Sequence, residues 1–455
     1  MNPGGTQAPF HPAVACSNLK IGRRSDSPER LTDLLQRNCF LASFSFVHAA
    51  DLHLGSPFRG LSLKDPAVAD RFADATRNAF TVLVTRTLER KADFLVIAGD
   101  IYDGEWQDNS VGLFFNREIA RLDRAGVPVF VLRGNHDAES VVTKSISLPD
   151  NVRSFGTRKP ESHALEELGV VLHGQSFADR HVAENLARAY PPPVAGKVNI
   201  GVLHTSLTGR PPHADYAPCS LEDLTAKGYD YWALGHVHQY EVVNRDPPVV
   251  FPGNLQGRNS RETGEKGAVL VTVEDGRVSG LERLIVDEAR FERLELDIGA
   301  CEDLPGLLAT VEDGLAPLAR MARGRPVALR LRLHGYSELR PWLLANRSQL
   351  ADEVQAALDR VGQDVWLEKL ELDVADAPGR APSPLADSSL DIAALLEAAA
   401  RDPDLGAAAS ANLAELGRKI PNGALDPARP FGEDLDTLIQ EAKAVLAERI
   451  SGRGR

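Results

Sequence analysis

The sequence predicts an α/β protein built as a four-layer α/β/β/α sandwich, followed by a smaller α+β domain and a helical C-terminal tail. Three observations carry this reading. Short apolar runs such as FLVIA at residues 94–98 read as buried strands too short for helices, and segments of helical period separate them. Residues 290–375 instead alternate apolar with charged residues, which marks a sheet covered on one face rather than a parallel core. Beyond them, the Pro/Ser/Ala-rich stretch APGRAPSPLADSS precedes an Ala-rich region of helical pattern.

A chain of 455 residues with 43% hydrophobic content can bury a large core over two or three domains. Its apolar runs all fall short of a membrane span. A formal charge of −13 excludes a global basic field, so any contact with nucleic acid has to be local. Cys16, Cys39, Cys219 and Cys301 are scattered without paired spacing, which indicates reduced thiols in a cytoplasmic protein. Residues 1–42 are rich in Pro, Gly and polar residues. They read as a flexible extension or an over-long start assignment, with no secretory-type apolar core after Arg23–Arg24.

The first strand, residues 44–50, ends in Asp51-Leu52-His53, and in extended backbone Asp51 and His53 point to the same side. Asp65-Pro66 supplies a helix N-cap and first position. Phe72, Ala75, Ala79, Leu83 and Leu88 then form the buried stripe of the helix leading into the 94–98 strand. That strand stops at Gly99-Asp100, where an open α/β sheet places its ligands. A second helix over residues 111–125, capped by Gly126, leads to the strand PVFVL and then to Arg133-Gly134-Asn135-His136-Asp137. Here Gly134 allows a sharp turn, the Asn135 carbonyl can ligate a metal, and Asp137 can orient His136 or hold it protonated. Residues 198–203 end in His204. Residues 229–234 end in Gly235-His236-Val237-His238, whose histidines either share a face or straddle two ions across a tight turn. The other histidines read as surface or satisfied core residues, with His213 in a loop long enough to reach a site.

Five strand ends bearing Asp-x-His, Gly-Asp, Gly-Asn-His-Asp, His and Gly-His-x-His, in that order, resemble the calcineurin-like metallophosphoesterases. HAADLHLGSPFRGL, GDIYDG, LHTSLTGRPPHADYAPCSL, GYDYWALGHVHQ and FPGNLQGRNSRETGEKG narrow the resemblance to the YhaO branch of the SbcD-type DNA repair exonucleases, over roughly residues 45–290. The resemblance implies a metallophosphoesterase sandwich over residues 43–289, an α+β capping domain over 290–376, and a linker and helical tail over 377–455.

It further implies one metal held by Asp51, His53, Asp100 and His238, and another by Asp100, Asn135, His204 and His236. Mixed oxygen and nitrogen ligation suits Mn²⁺, with Fe or Zn as alternatives. His136, unligated, would stabilise the transition state or protonate the leaving alkoxide. The exonucleases typically carry a histidine three residues after the bridging aspartate, where this chain has Asp103. Arg258 and Arg261 are candidates to pair with substrate phosphates.

In the tail, Leu435, Leu438, Ile439, Ala442, Leu446 and Ile450 share one helical face. That face either packs back on the capping domain or docks to a partner, and the resemblance implies an SMC-like ABC ATPase. The implied activity is a two-metal DNA nuclease working with such an ATPase, with a homodimer as a further assembly. The alternatives are a small-molecule phosphodiesterase or phosphatase, and a scaffold whose metal centre has decayed.

Overall fold

The computed structural model describes residues 43–56, 66–103, 109–139, 148–208, 216–362, 364–376, 392–419 and 435–450. The expected extension at 1–42, the 377–389 linker and His213 lie outside these residues.

Strands β1 (Phe44–Ala49), β2 (Phe94–Ala98) and β3 (Val129–Leu132) are the expected apolar runs, and they pair in parallel. Helices α1 (Pro66–Glu89) and α2 (Asn109–Arg124) make the two crossovers. With β4 (Val152–Ser154), β11 (Gly267–Glu274) and β12 (Arg277–Ile285) the first sheet runs β12-β11-β1-β2-β3-β4. The second comprises β5 (Glu161–Leu165), β6 (Val170–Gly174), β7 (Val198–His204), β8 (Tyr231–Gly235), β9 (Glu241–Arg245) and β10 (Pro248–Phe251), in the order β5-β6-β7-β8-β10-β9.

Alternation along β2 builds two cores at once. Phe94, Val96 and Ala98 face the second sheet among Phe46, Phe130, Val202 and Tyr231. Leu95 and Ile97 face outward, onto Phe80 and Leu83 of α1 and Phe115 and Ile119 of α2. On the far side, Leu224 of α4 (Leu221–Thr225) packs with Tyr229, Trp232 and Leu234. These layers are the expected α/β/β/α sandwich. His48 spans the seam as a satisfied core histidine: Nε2–H donates to Leu234 O at 3.1 Å and Nδ1 accepts from the Tyr231 hydroxyl at 3.0 Å. Burial pushes its pKa down to about 3, so the ring is neutral.

Beyond the sandwich come β13 (Arg290–Asp297), α5 (Leu304–Ala322), β14 (Val327–Tyr336), α6 (Arg340–Ala345), α7 (Arg347–Val361) and β15 (Val365–Ala375). All three strands pair in parallel, in the order β13-β14-β15, which corrects the expectation drawn from the alternating pattern. The pattern reported single-face burial, and that holds. Two successive right-handed crossovers advancing in one direction put both sets of helices on the same face. Leu307, Val311 and Leu315 of α5 and Leu350, Val354 and Leu358 of α7 cover Leu331 and Leu333 there. At its start the sheet meets α1, where Phe72 and Ala75 pack with Ala289, Phe291 and Ala328. In the tail, α8 (Ile392–Ala400), α9 (Pro403–Lys419) and α10 (Leu435–Ile450) follow, and α10 lies against α6, while Leu446 remains exposed.

The joint between α1 and the third sheet rests on Phe291, whose ring lies 5.6 Å from that of Phe72. Phe291→Ala is expected to destabilise the chain by about 3–5 kcal/mol, the range for emptying a buried aromatic site. Urea unfolding followed by circular dichroism measures it.

Candidate metal centre

The carboxyl ends of β1, β2 and β3 in one sheet meet those of β7 and β8 in the other, and the chain leaves each of these strands on a polar residue. Asp51, His53, Asp100 and His236 all adopt left-handed backbone, with φ of 51°, 44°, 52° and 101°. Each such residue costs about 1–3 kcal/mol, and strain of this kind clusters where side chains must be aimed. Asp51 and His53 therefore converge through two left-handed residues, not through the extended spacing read from the sequence. The carboxylate of Asp51 accepts from His236 N–H across the seam, at 3.1 and 3.0 Å to its two oxygens. Asp100 Oδ1 accepts from His136 N–H at 2.9 Å.

The side chains gather in three overlapping groups, one of which joins His53, Asp100 and His136. Asp51, His53 and His238 come together at one end, with His53 Nε2 only 3.1 Å from His238 Nε2. Asp51, Asp100 and His204 form the group at the opposite end. His204 Nδ1–H donates to Ala98 O at 2.9 Å, so Nε2 faces Asn135 Oδ1 at 3.0 Å and Asp100 Oδ2 at 3.5 Å. The His236 ring lies 5.2 Å from that of His204, while His238 sits beside His53, so the two histidines of Gly-His-x-His straddle the site across a turn.

This donor set fits divalent cations. With Nδ1–H held by a carbonyl, His204 Nε2 turned onto two oxygen acceptors needs either a proton or a cation between them. Without a cation the proton is retained: burial opposes it, but the Asp100 carboxylate pushes the His204 pKa up to about 9. Burial likewise raises Asp51, whereas Asp100, despite burial, is held well below the carboxylate range by His204 and His53. The approach of His53 Nε2 to His238 Nε2 fits the same filling, since a cation between them can take both lone pairs.

His136 lies at the edge, its side chain 29% exposed, with its ring edge-on to His53 at 5.0 Å. Its partner is Asp103, at 3.0 Å from Nδ1, and not Asp137. Asp137 is buried and accepts from the backbone N–H groups of Ile101, Tyr102 and Gly134, tying two strand-end loops together. Consecutive residues at the start of α3 (Asn135–Glu139) point in different directions, which is why adjacency in sequence misassigned the pair. The reading of Gly134 also changes. A Cβ there would lie 2.3 Å from Asp100 Oδ1, so the position needs closeness to the site more than a turn.

Sequence reasoning gave no role to Glu262 or Lys266. Glu262 Oε1 lies 2.8 Å from His238 Nδ1, and Lys266 donates to His238 O at 3.0 Å. Arg258, a candidate partner for substrate phosphates, is paired with Glu262 at 2.9 Å. Arg261 is exposed and lies in the same loop.

The seam tolerates no bulk. At Gly235 a Cβ would sit 1.9 Å from the Ala98 carbonyl oxygen and 2.9 Å from His204 Nδ1. Gly235→Ala must push β8 away from β2 and break the His204 to Ala98 bond. The expected outcome is a loss of about 1–3 kcal/mol of stability, as for overpacking, and weakened metal uptake. Thermal unfolding with and without added Mn²⁺ reads both effects.

Residues 44–240 match the calcineurin-like phosphoesterase family, and residues 291–375 match the middle domain of metallophosphoesterase YhaO. The chain is 34% identical over 322 residues to the uncharacterized metallophosphoesterase YhaO of Bacillus subtilis (strain 168), covering 70% of this chain and 78% of that protein. It is 24% identical over 263 residues to the DNA double-strand break repair protein Mre11 of Sulfurisphaera tokodaii, covering 54% of this chain and 64% of that one. For Mre11 of Methanopyrus kandleri the identity is 27% over 227 residues, covering 46% of this chain and 48% of that one. A dimetal phosphatase from Danio rerio aligns at 11% identity with a TM-score of 0.32, covering 54% of this chain and 99% of its own. This identity over most of both chains, with the two family matches, makes this chain a member of the calcineurin-like metallophosphoesterase family, of the YhaO kind.

Proposed function

We propose that this chain is a two-metal phosphodiester hydrolase acting on DNA. In this reading residues 43–289 are the catalytic domain, 290–376 its cap and 377–455 a linker and tail. Asp51, His53, Asp100 and His238 hold one ion, and Asp100, Asn135, His204 and His236 hold the other. The observation that carries the reading is the orientation of His204, whose Nε2 faces Asp100 and Asn135 because Ala98 holds its other nitrogen. Two divalent cations, Mn²⁺ best suited to these donors, would supply charge neutralisation for the phosphoryl oxygens and a nucleophile from water near neutral pH.

The protein's own residues do the rest. Asp103 accepts from His136 Nδ1–H and leaves Nε2–H to donate to the leaving alkoxide. Burial favours the neutral ring, yet the Asp103 and Asp100 carboxylates raise the His136 pKa overall, keeping the acid form available. The DNA substrate is supported by the Mre11 relatives, named for double-strand break repair. A partner ATPase is supported by the resemblance to SbcD-type proteins and by the exposed Leu395, Leu405, Leu416 and Leu446 of the tail. The chain's −13 charge favours a second reading, hydrolysis of a small phosphodiester.

Purified protein with Mn²⁺, given end-labelled DNA and bis(p-nitrophenyl) phosphate side by side, separates the two readings. Cleavage of the small ester alone overturns the nuclease. Asp100→Asn is expected to abolish both activities with the fold retained, and surviving activity at full metal content would overturn the two-metal site. His136→Gln should keep the metals and slow turnover by roughly 10²–10⁴-fold.

The pH profile checks the dyad separately. Asp103→Asn removes one of the two carboxylates that raise the His136 pKa, so the protonated ring is lost at lower pH. The alkaline limb of kcat is expected to move down in pH, and an unmoved limb would exclude Asp103 from setting it.

A further inference from the structure

Glu262 is the most completely engaged carboxylate near the site. Its Oε1 accepts from His238 Nδ1–H at 2.8 Å and from Arg258 Nη2 at 2.9 Å. Its Oε2 accepts from Asn254 Nδ2 at 2.9 Å and from the Arg258 backbone N–H at 2.9 Å. The loop that carries it is fixed at several points. Arg293 Nε of β13 donates to Ser260 O at 2.7 Å, Gly264 N–H to Phe291 O at 3.4 Å, and Gln256 Oε1 accepts from Glu288 and Ala289 N–H at 2.9 and 3.1 Å. A carboxylate held this firmly is a fixed acceptor, and an imidazole that donates Nδ1–H to it has its lone pair on Nε2.

We infer that Glu262 is a positioning residue for the Asp51/His53/His238 site, fixing the tautomer and ring orientation of His238 so that Nε2 is presented as a metal ligand. This deepens the two-metal reading and rests on it. The role is selective by geometry. Glu262 touches His238, which lies beside His53, whereas His204 is oriented by Ala98 O and does not depend on the 254–266 loop. Losing Glu262 frees His238 to turn or to place its proton on Nε2, and one ion is weakened while the other is not. Outer partners of this kind are worth 10–100-fold in metal affinity.

The experiment is calorimetric titration of the metal-free full chain with Mn²⁺, together with electron paramagnetic resonance of the Mn²⁺-loaded protein. Wild type, Glu262→Ala and Glu262→Gln are compared. In wild type two ions and the signature of a coupled Mn²⁺ pair are expected. In both variants one affinity is expected to fall 10–100-fold and the other to hold. At low Mn²⁺ the uncoupled signal of a single ion should appear, with the coupled signal returning at high Mn²⁺. Should Glu262→Ala fail to fold, Glu262→Gln, which keeps the volume, decides. Two unchanged affinities, or an equal loss at both sites, would overturn the positioning role while leaving the two-metal reading intact. Uptake of fewer than two ions by wild type would instead overturn that reading, and this role with it.

Discussion

Two carboxylates, Asp51 and Asp100, are buried beside each other where the two sheets meet, each about 1% exposed. Burying charge in this way is costly unless each oxygen finds a partner. The fold answers by aiming backbone N–H groups and imidazoles at the pair, and the aiming requires left-handed backbone at Asp51, His53, Asp100 and His236. That strain is offset elsewhere, in the aromatic core between the sheets. There Phe46 stacks on Phe94 at 4.8 Å and meets Tyr231 edge-on at 5.4 Å. Such pairs contribute about 0.5–1.5 kcal/mol each beyond their burial. The stable and the strained parts of the sandwich lie on the same strands, a few residues apart.

This arrangement explains what the sequence made legible. A strand buried on both faces must be apolar throughout, so its last apolar residue marks its end, and a ligand-type residue just beyond is conspicuous. Asp100 after FLVIA and His204 after the 198–203 run are found by that rule, and the structure brings them within 3.5 Å. The supporting residues lack any such mark. Glu262 sits in a turn-rich loop, and nothing in the chain links it to His238, which only the fold brings near. Asp137 was the natural partner for His136 by adjacency, yet geometry gives that role to Asp103 and turns Asp137 onto three backbone amides. Alternation over 290–375 reported which side chains are covered but carries no information on strand direction, so parallel pairing was missed.

The third sheet is joined to the site through few but specific contacts. Arg290 is buried at the start of β13, where it meets Asp287 at 2.7 Å and Glu265 at 3.4 Å and donates to Met321 O at 2.9 Å. Lys266, next to Glu265, donates to the His238 carbonyl, and burial lowers its pKa to about 8. A tilt of the third sheet about this joint therefore displaces the 254–266 loop, and with it the environment of His238. The first-strand side of the site is thus tied to the third sheet, whereas among the described residues His204 is held by Ala98 O within the sandwich.

Charge on the open face of the third sheet bears on how a phosphate backbone would reach the site. Arg330 is met by Glu368 at 2.7 Å and Glu371 at 3.7 Å. Arg332 pairs with Asp373 and lies 3.6 Å from Glu295. Each arginine is already faced by two carboxylates, so this face offers a duplex no net positive field, and phosphates approaching it would have to displace acidic partners. The rim of the metal centre carries other cations. Arg258 is there but engaged by Glu262, and Arg261 is the exposed cation of the same loop. With Arg258 engaged, a phosphodiester at this rim would be held mainly by the ions themselves, and its affinity should follow metal occupancy.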